Sequence, residues 1–140
     1  MSYLESVFSM SGKVCLVTGA SRGIGRSLAD AFHNAGAVVF GLGRSEDINK
    51  GALWSYRKCD VNNIEQLTQV FQDIVAIEGK LDVLVNAAGI TNSYSTTDTA
   101  SSFVQMIQTN LIAVHETCSV ASGYMKASGG GSIINITSIG

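Results

Sequence analysis

The 140-residue sequence predicts an α/β protein built on a parallel sheet, and three observations carry that prediction. Apolar runs of strand length alternate five times with stretches of helical period. Glycine, in a chain without proline, marks the change from one to the other. The first apolar run leads straight into a glycine-rich turn and a helix, Thr18-Gly19-Ala20-Ser21-Arg22-Gly23-Ile24-Gly25. Such alternation returns each strand to the same sheet through a right-handed crossover.

The elements follow in order. Val14 to Val17 reads as the first strand. Arg26 to Asn34 reads as a helix, with Gly36 in the position of a left-handed cap. Val38 to Phe40 is the second strand, ending in Gly41-Leu42-Gly43-Arg44. Ser45 to Leu53 is polar, a loop or a short helix, and Trp54 to Cys59 is a weaker third strand. Asn62 with Glu65 three residues on predicts a capping box. A stripe at Ile64, Leu67, Val70, Phe71, Ile74 and Ile77 then runs to Gly79. Leu81 to Val85, the fourth strand, has the apolar density of a strand buried on both faces. Ile90 to Thr99 is a Ser/Thr-rich loop. Phe103, Ile107, Asn110/Leu111, Val114, Cys118, Ala121 and Met125 mark one long helix. Ser128 to Ser132 is a glycine turn, and Ile133 to Ile136 is the fifth strand.

Composition narrows the function. A hydrophobic fraction of 46% with 14% charged residues is globular. A chain of this length buries roughly 68% of its unfolded surface, and one domain over 1–140 is expected. The net charge of −2 and the lack of a basic block make nucleic acid and anionic membrane poor partners. No apolar run is long enough to span a bilayer. Met1 to Met10 has neither Lys or Arg nor a long apolar core, so it is not read as a secretory signal. Cys15, Cys59 and Cys118 form no C-x-x-C and read as small buried hydrophobes. His33 and His115 stand alone, so no metal site is predicted. A cytoplasmic location fits this cysteine usage.

The glycine-rich turn carries the chemistry. Backbone N–H groups there face an anion, and the helix N-terminus adds its partial positive charge. Gly19 lets the chain leave the strand sharply. Gly23 removes a Cβ where a pyrophosphate approaches. Gly25 lets the first helical turn lie close to the sheet.

The G-x-x-x-G-x-G spacing differs from the G-x-G-x-x-G of the standard dinucleotide fingerprint. Together with Asn86-Ala87-Ala88-Gly89 and Asn135-Ile136-Thr137-Ser138 it resembles the classical short-chain dehydrogenase/reductases, from about Ser11 to the last residue. Members acting on 3-oxoacyl-carrier-protein or on sugars and polyols look most alike. The resemblance implies a doubly wound Rossmann-type sheet of strand order 3-2-1-4-5, truncated here after the fifth strand. Ligand then belongs at the carboxyl ends of strands 1 and 4, where the order reverses.

Cofactor choice is read at the end of the second strand. An acid there bonds a ribose 2′-OH and selects NAD; a nearby Arg accommodates a 2′-phosphate. The position is Gly43, with Arg44 next and Arg22 within reach from the glycine turn. The expectation is NADP(H), with NAD the alternative because Glu46 and Asp47 lie close by. The resemblance implies that Thr18, Gly19, Ser21, Arg22, Gly23, Ile24 and Gly25 form the phosphate corner. It further implies that Asp60 and Val61 contact adenine, and that Asn86, Ala87, Ala88 and Gly89 border the ribose. Ala87 departs from the Asn more usual there.

By the same resemblance the catalytic residues are Asn110, expected at an inward-facing step of the long helix, and Ser138, with Thr137 the choice if the register slips by one. The family's acid is the Tyr of a Tyr-x-x-x-Lys pair. Tyr3, Tyr56, Tyr94 and Tyr124 are followed at the fourth place by Val7, Asp60, Asp98 and Ser128. The chain is therefore expected to be the N-terminal part of a longer enzyme, inactive as a free 140-residue chain, with its fifth strand an unpaired apolar edge. The implied reaction interconverts an alcohol and a carbonyl in a small molecule, such as a 3-oxoacyl thioester, a sugar or polyol, or a steroid. A homo-oligomer is implied too. The alternatives are a non-catalytic dinucleotide-binding or regulatory protein, and a chain that completes its sheet with another subunit.

Overall fold

The computed structural model describes residues 1–46, 51–91 and 100–138. Its elements are α1 (Tyr3–Phe8), β1 (Val14–Thr18), α2 (Gly23–Asn34), β2 (Val38–Gly43), β3 (Ser55–Lys58), α3 (Ile64–Glu78), β4 (Val83–Asn86), α4 (Ala100–Ile107), a π-helical turn at Gln108–Ile112, α5 (Ala113–Ala127) and β5 (Ser132–Asn135). The five strands form one parallel sheet in the order β3-β2-β1-β4-β5, as expected. Helix α1, capped by Ser2 and Glu5, has no counterpart in the pattern reading and buries none of its residues.

Each central strand is apolar because both its faces are covered. One face carries Leu16, Phe40, Leu42 and Leu84, packed with Leu67, Phe71 and Ile74 of α3 and Ala121 and Met125 of α5. The other carries Cys15, Val17, Val39 and Val85 with Ala29 of α2 and Trp54. The register pairs Thr18 with Leu42 and with Asn86, and Asn86 with Asn135. The polar strand ends therefore share one edge of the sheet.

At the opposite end, Asp82 clasps the sheet. Its carboxylate accepts from the Val14 N–H at 2.8 Å and pairs with Lys80 at 3.0 Å. Among the described residues β5 pairs with β4 alone, and its Ile133 and Ile134 are 37% and 41% exposed, the apolar edge expected of it.

Three local expectations shift. The N-cap of α3 is Asn63, whose side chain accepts from Gln66 N–H at 3.0 Å, not Asn62. Asn62 instead turns its amide toward Thr109. The long helix is not continuous: the π-turn at Gln108–Ile112 splits it. An i→i+5 bond adds a residue to the turn and shifts the helix phase by about 100°. Thr109, Ala113, Thr117, Ala121 and Met125 are thus the buried row, while Phe103, Ile107 and Leu111 of the expected stripe are exposed. Cys118 is only half-buried, whereas Cys15 and Cys59 are buried as expected.

Candidate functional site

A cleft of about 460 Å³ opens at the carboxyl ends of β1, β2, β3 and β4. The glycine corner makes one wall. Gly19 has φ +66°, and a Cβ there would come within 2.6 Å of the Ala88 nitrogen. A Cβ on Gly25 would strike the Gly19 carbonyl oxygen. Both glycines therefore allow backbone to lie directly on backbone, as the first turn of α2 closes over the sheet. Ser21, Arg22, Gly23 and Ile24 complete this wall, and Gly23 has open space where its Cβ would be.

Thr18 and Asn86 stand behind the cleft rather than in it. Thr18 is buried, and its Oγ1 accepts from Ala87 N–H at 3.2 Å and Ala88 N–H at 3.1 Å. This holds Ala87, Ala88 and Gly89 as the wall opposite the glycine corner. The Asn86 amide donates to Asn135 Oδ1 at 2.9 Å and to Cys118 Sγ at 3.3 Å, tying β4 to β5 and α5.

The third wall comes from the end of β3. Asp60 and Val61 line the cleft, and Asp60 Oδ1 accepts from the Asn62 N–H at 3.0 Å. Cys59 lies beside them. Burial, helped by the Asp60 charge, pushes its thiol up to about 11. At the mouth, Arg44 and Arg22 are both exposed lining residues. Glu46 lies outside the lining and pairs with Lys58. Asp47 falls outside the described residues.

Asn110 is exposed, not at the inward-facing step expected of it, because the π-turn gives that step to Thr109. Its carboxamide instead reaches Ile90, which lines the cleft. Ser138 and Thr137 are exposed beyond the end of β5 and do not line the cleft. Pattern reading missed Cys59, Asn62, Ile90 and Thr109. The first two flank the Asp60-Val61 pair and follow from its position at a strand end. Ile90 follows the Asn86–Gly89 segment directly. Thr109 carries no such signal, since its inward aim depends on the π-turn.

A glycine corner between a parallel strand and a helix, facing a cleft at the switch between β1 and β4, defines a Rossmann-type α/β protein. The family model described as short chain dehydrogenase matches residues 13–140, and the chain belongs to that family. It is 31% identical to a 7alpha-hydroxysteroid dehydrogenase of Clostridium sardiniense, over 94% of this chain and 55% of that protein. It is 35% identical to a 3beta-hydroxysteroid dehydrogenase of Mediterraneibacter gnavus, over 91% of this chain and 50% of that one. The ligand-free structure of aldohexose dehydrogenase from Thermoplasma acidophilum superimposes with a TM-score of 0.84 at 33% identity, covering 91% of this chain and 50% of its own. The chain spans about half the length of the relatives it matches.

Proposed function

We propose that this chain forms the cofactor-binding part of an NADP(H)-dependent oxidoreductase that interconverts an alcohol and a carbonyl in a small molecule. The observation that carries the reading is the cleft lining: Arg22 and Arg44 share it with Gly43, which carries no acid and where an added Cβ would run into Tyr56 Oη and lie 3.1 Å from Ser21 Cβ. Of the two acids an NAD preference would draw on, Glu46 pairs with Lys58, and Asp47 lies outside the described residues.

The residues present suit a dinucleotide. The corner from Gly19 to Gly25 and the start of α2 offer amides and a positive helix end to the pyrophosphate. Arg44 and Arg22 would hold a 2′-phosphate through planar, permanently charged donors. Asp60 and Val61 border the adenine, and Ala87 to Gly89, braced by Thr18, border the ribose. The bound nicotinamide supplies or accepts the hydride. Asn110 holds the Ile90 segment of the cleft wall, and Ser138, beyond the end of β5, would orient the substrate oxygen by hydrogen bonding. A cytoplasmic homo-oligomer fits this reading.

Calorimetric titration of the intact gene product with NADPH and NADH tests it. NADPH is expected to bind more tightly. Arg44→Ala should raise the NADPH dissociation constant about 10–100-fold, the loss of a charged hydrogen bond, with little change for NADH. Failure to bind either dinucleotide, or a preference for NADH, would overturn the proposal.

A further inference from the structure

We propose that Tyr56 is a specificity-determining residue: its phenol occupies the volume into which an acid at the end of β2 would project, and so closes the cleft to recognition of a free ribose 2′-OH. This rests on the NADP(H) reading above.

A Cβ placed on Gly43 would run into Tyr56 Oη, and would also lie 3.2 Å from Tyr56 Cε2 and 3.1 Å from Ser21 Cβ. Two walls therefore meet at this one position. Ser21 belongs to the glycine corner and moves only with it. A tyrosine hydroxyl could swing aside if nothing held it, but here three things do. Tyr56 sits within β3, in register with Gly41 of β2. Its ring packs against the apolar cluster that includes Val39 and Trp54. Its hydroxyl donates to the Ser45 carbonyl at 3.0 Å.

That last bond gives Tyr56 a second effect. Ser45 follows Arg44 directly, so the phenol anchors the turn that carries Arg44 to the cleft mouth. One side chain thus both excludes the acid that selects NAD and steadies the cation suited to a 2′-phosphate. It comes from β3, a strand outside the glycine corner and the β2 end where cofactor choice is ordinarily read.

The test uses the intact gene product and five variants: Gly43→Ala, Gly43→Asp, Tyr56→Phe, and each Gly43 substitution combined with Tyr56→Phe. Dissociation constants for NADPH and NADH are measured by calorimetry and thermal midpoints by scanning calorimetry. Gly43→Asp alone should weaken both cofactors. Adding Tyr56→Phe should then tighten NADH at least about tenfold, the effect of one charged hydrogen bond. Tyr56→Phe alone should narrow the NADPH-over-NADH preference. Gly43→Ala should lower the thermal midpoint, and much less so when combined with Tyr56→Phe. An NADH gain from Gly43→Asp alone as large as from the double variant would overturn the inference. So would an unchanged cofactor ratio in Tyr56→Phe. If the unmodified protein binds neither dinucleotide, the functional reading fails. The stability coupling between positions 43 and 56 still decides whether the phenol closes the site, and equal midpoint losses with and without Tyr56→Phe would sink that claim.

Discussion

The carboxamide of Asn110 satisfies both backbone groups of Ile90: Oδ1 accepts from its N–H at 2.9 Å, and Nδ2 donates to its carbonyl at 2.7 Å. This pairing joins the loop after β4 to the π-turn, and it aims the cleft wall that Ile90 contributes. Asn110→Leu removes both bonds. Because the site is exposed, water replaces them, and stability should fall by only about 1 kcal/mol. Dinucleotide affinity should fall about 3–10-fold as the loop loosens. Urea unfolding and calorimetric titration separate the two effects.

Thr18→Val keeps the shape of a buried side chain but removes the acceptor shared by the Ala87 and Ala88 amides. Those donors then face an apolar neighbour, at a cost of about 1–3 kcal/mol. Thr18→Ser keeps the hydroxyl and should recover most of the loss. Thermal unfolding of the pair of variants checks this, and equal destabilisation by Val and Ser would refute it.

Burial would raise the pKa of Asp82, but the Val14 N–H, Lys80 and Lys13 outweigh it and hold the carboxyl below its ordinary 3.8. Its proton is bound more weakly in the folded than in the unfolded chain. The clasp therefore stabilises above the ordinary carboxylate range and is lost as pH falls through it toward the lower folded value. Urea midpoints measured between about pH 6 and pH 2 should show a smaller acid loss for Asp82→Asn than for the unmodified protein. Coincident curves would exclude the clasp as a contributor.

Cys59 is pushed up to about 11 by burial and then by the Asp60 charge. Cys15 is pushed up to about 12, chiefly by burial, with the Asp82 charge adding and Lys13 opposing. The thiolate is the reactive form. At pH near 8, maleimide labelling followed by mass spectrometry should find half-buried Cys118 modified first. Cys59 labelling should then rise about tenfold per pH unit. Early labelling of Cys59 at neutral pH would contradict its burial.

Much of this molecule is readable without coordinates. The strands, their parallel order and the glycine corner come from signals a few residues long: apolar density, helical period, and a backbone turn that only glycine permits. Resemblance to the short-chain dehydrogenases pointed to the cleft-lining segments Asp60-Val61 and Ala87 to Gly89, because they sit at strand ends whose order the topology dictates. The cap of α3 slipped by one because Asn62 and Asn63 are equivalent in sequence, and only Thr109 in space draws Asn62 away.

The amino-acid order by itself determined the α/β class, the glycine-rich corner and the absence of an acid at Gly43, since each rests on the chemistry of neighbouring residues. Tertiary structure alone decided that Asn110 turns outward to Ile90, that Thr109 turns in, and that Tyr56 fills the space beside Gly43. Those arrangements arise between side chains on different elements and from one irregular helical turn. No periodicity along the chain encodes how distant surfaces meet.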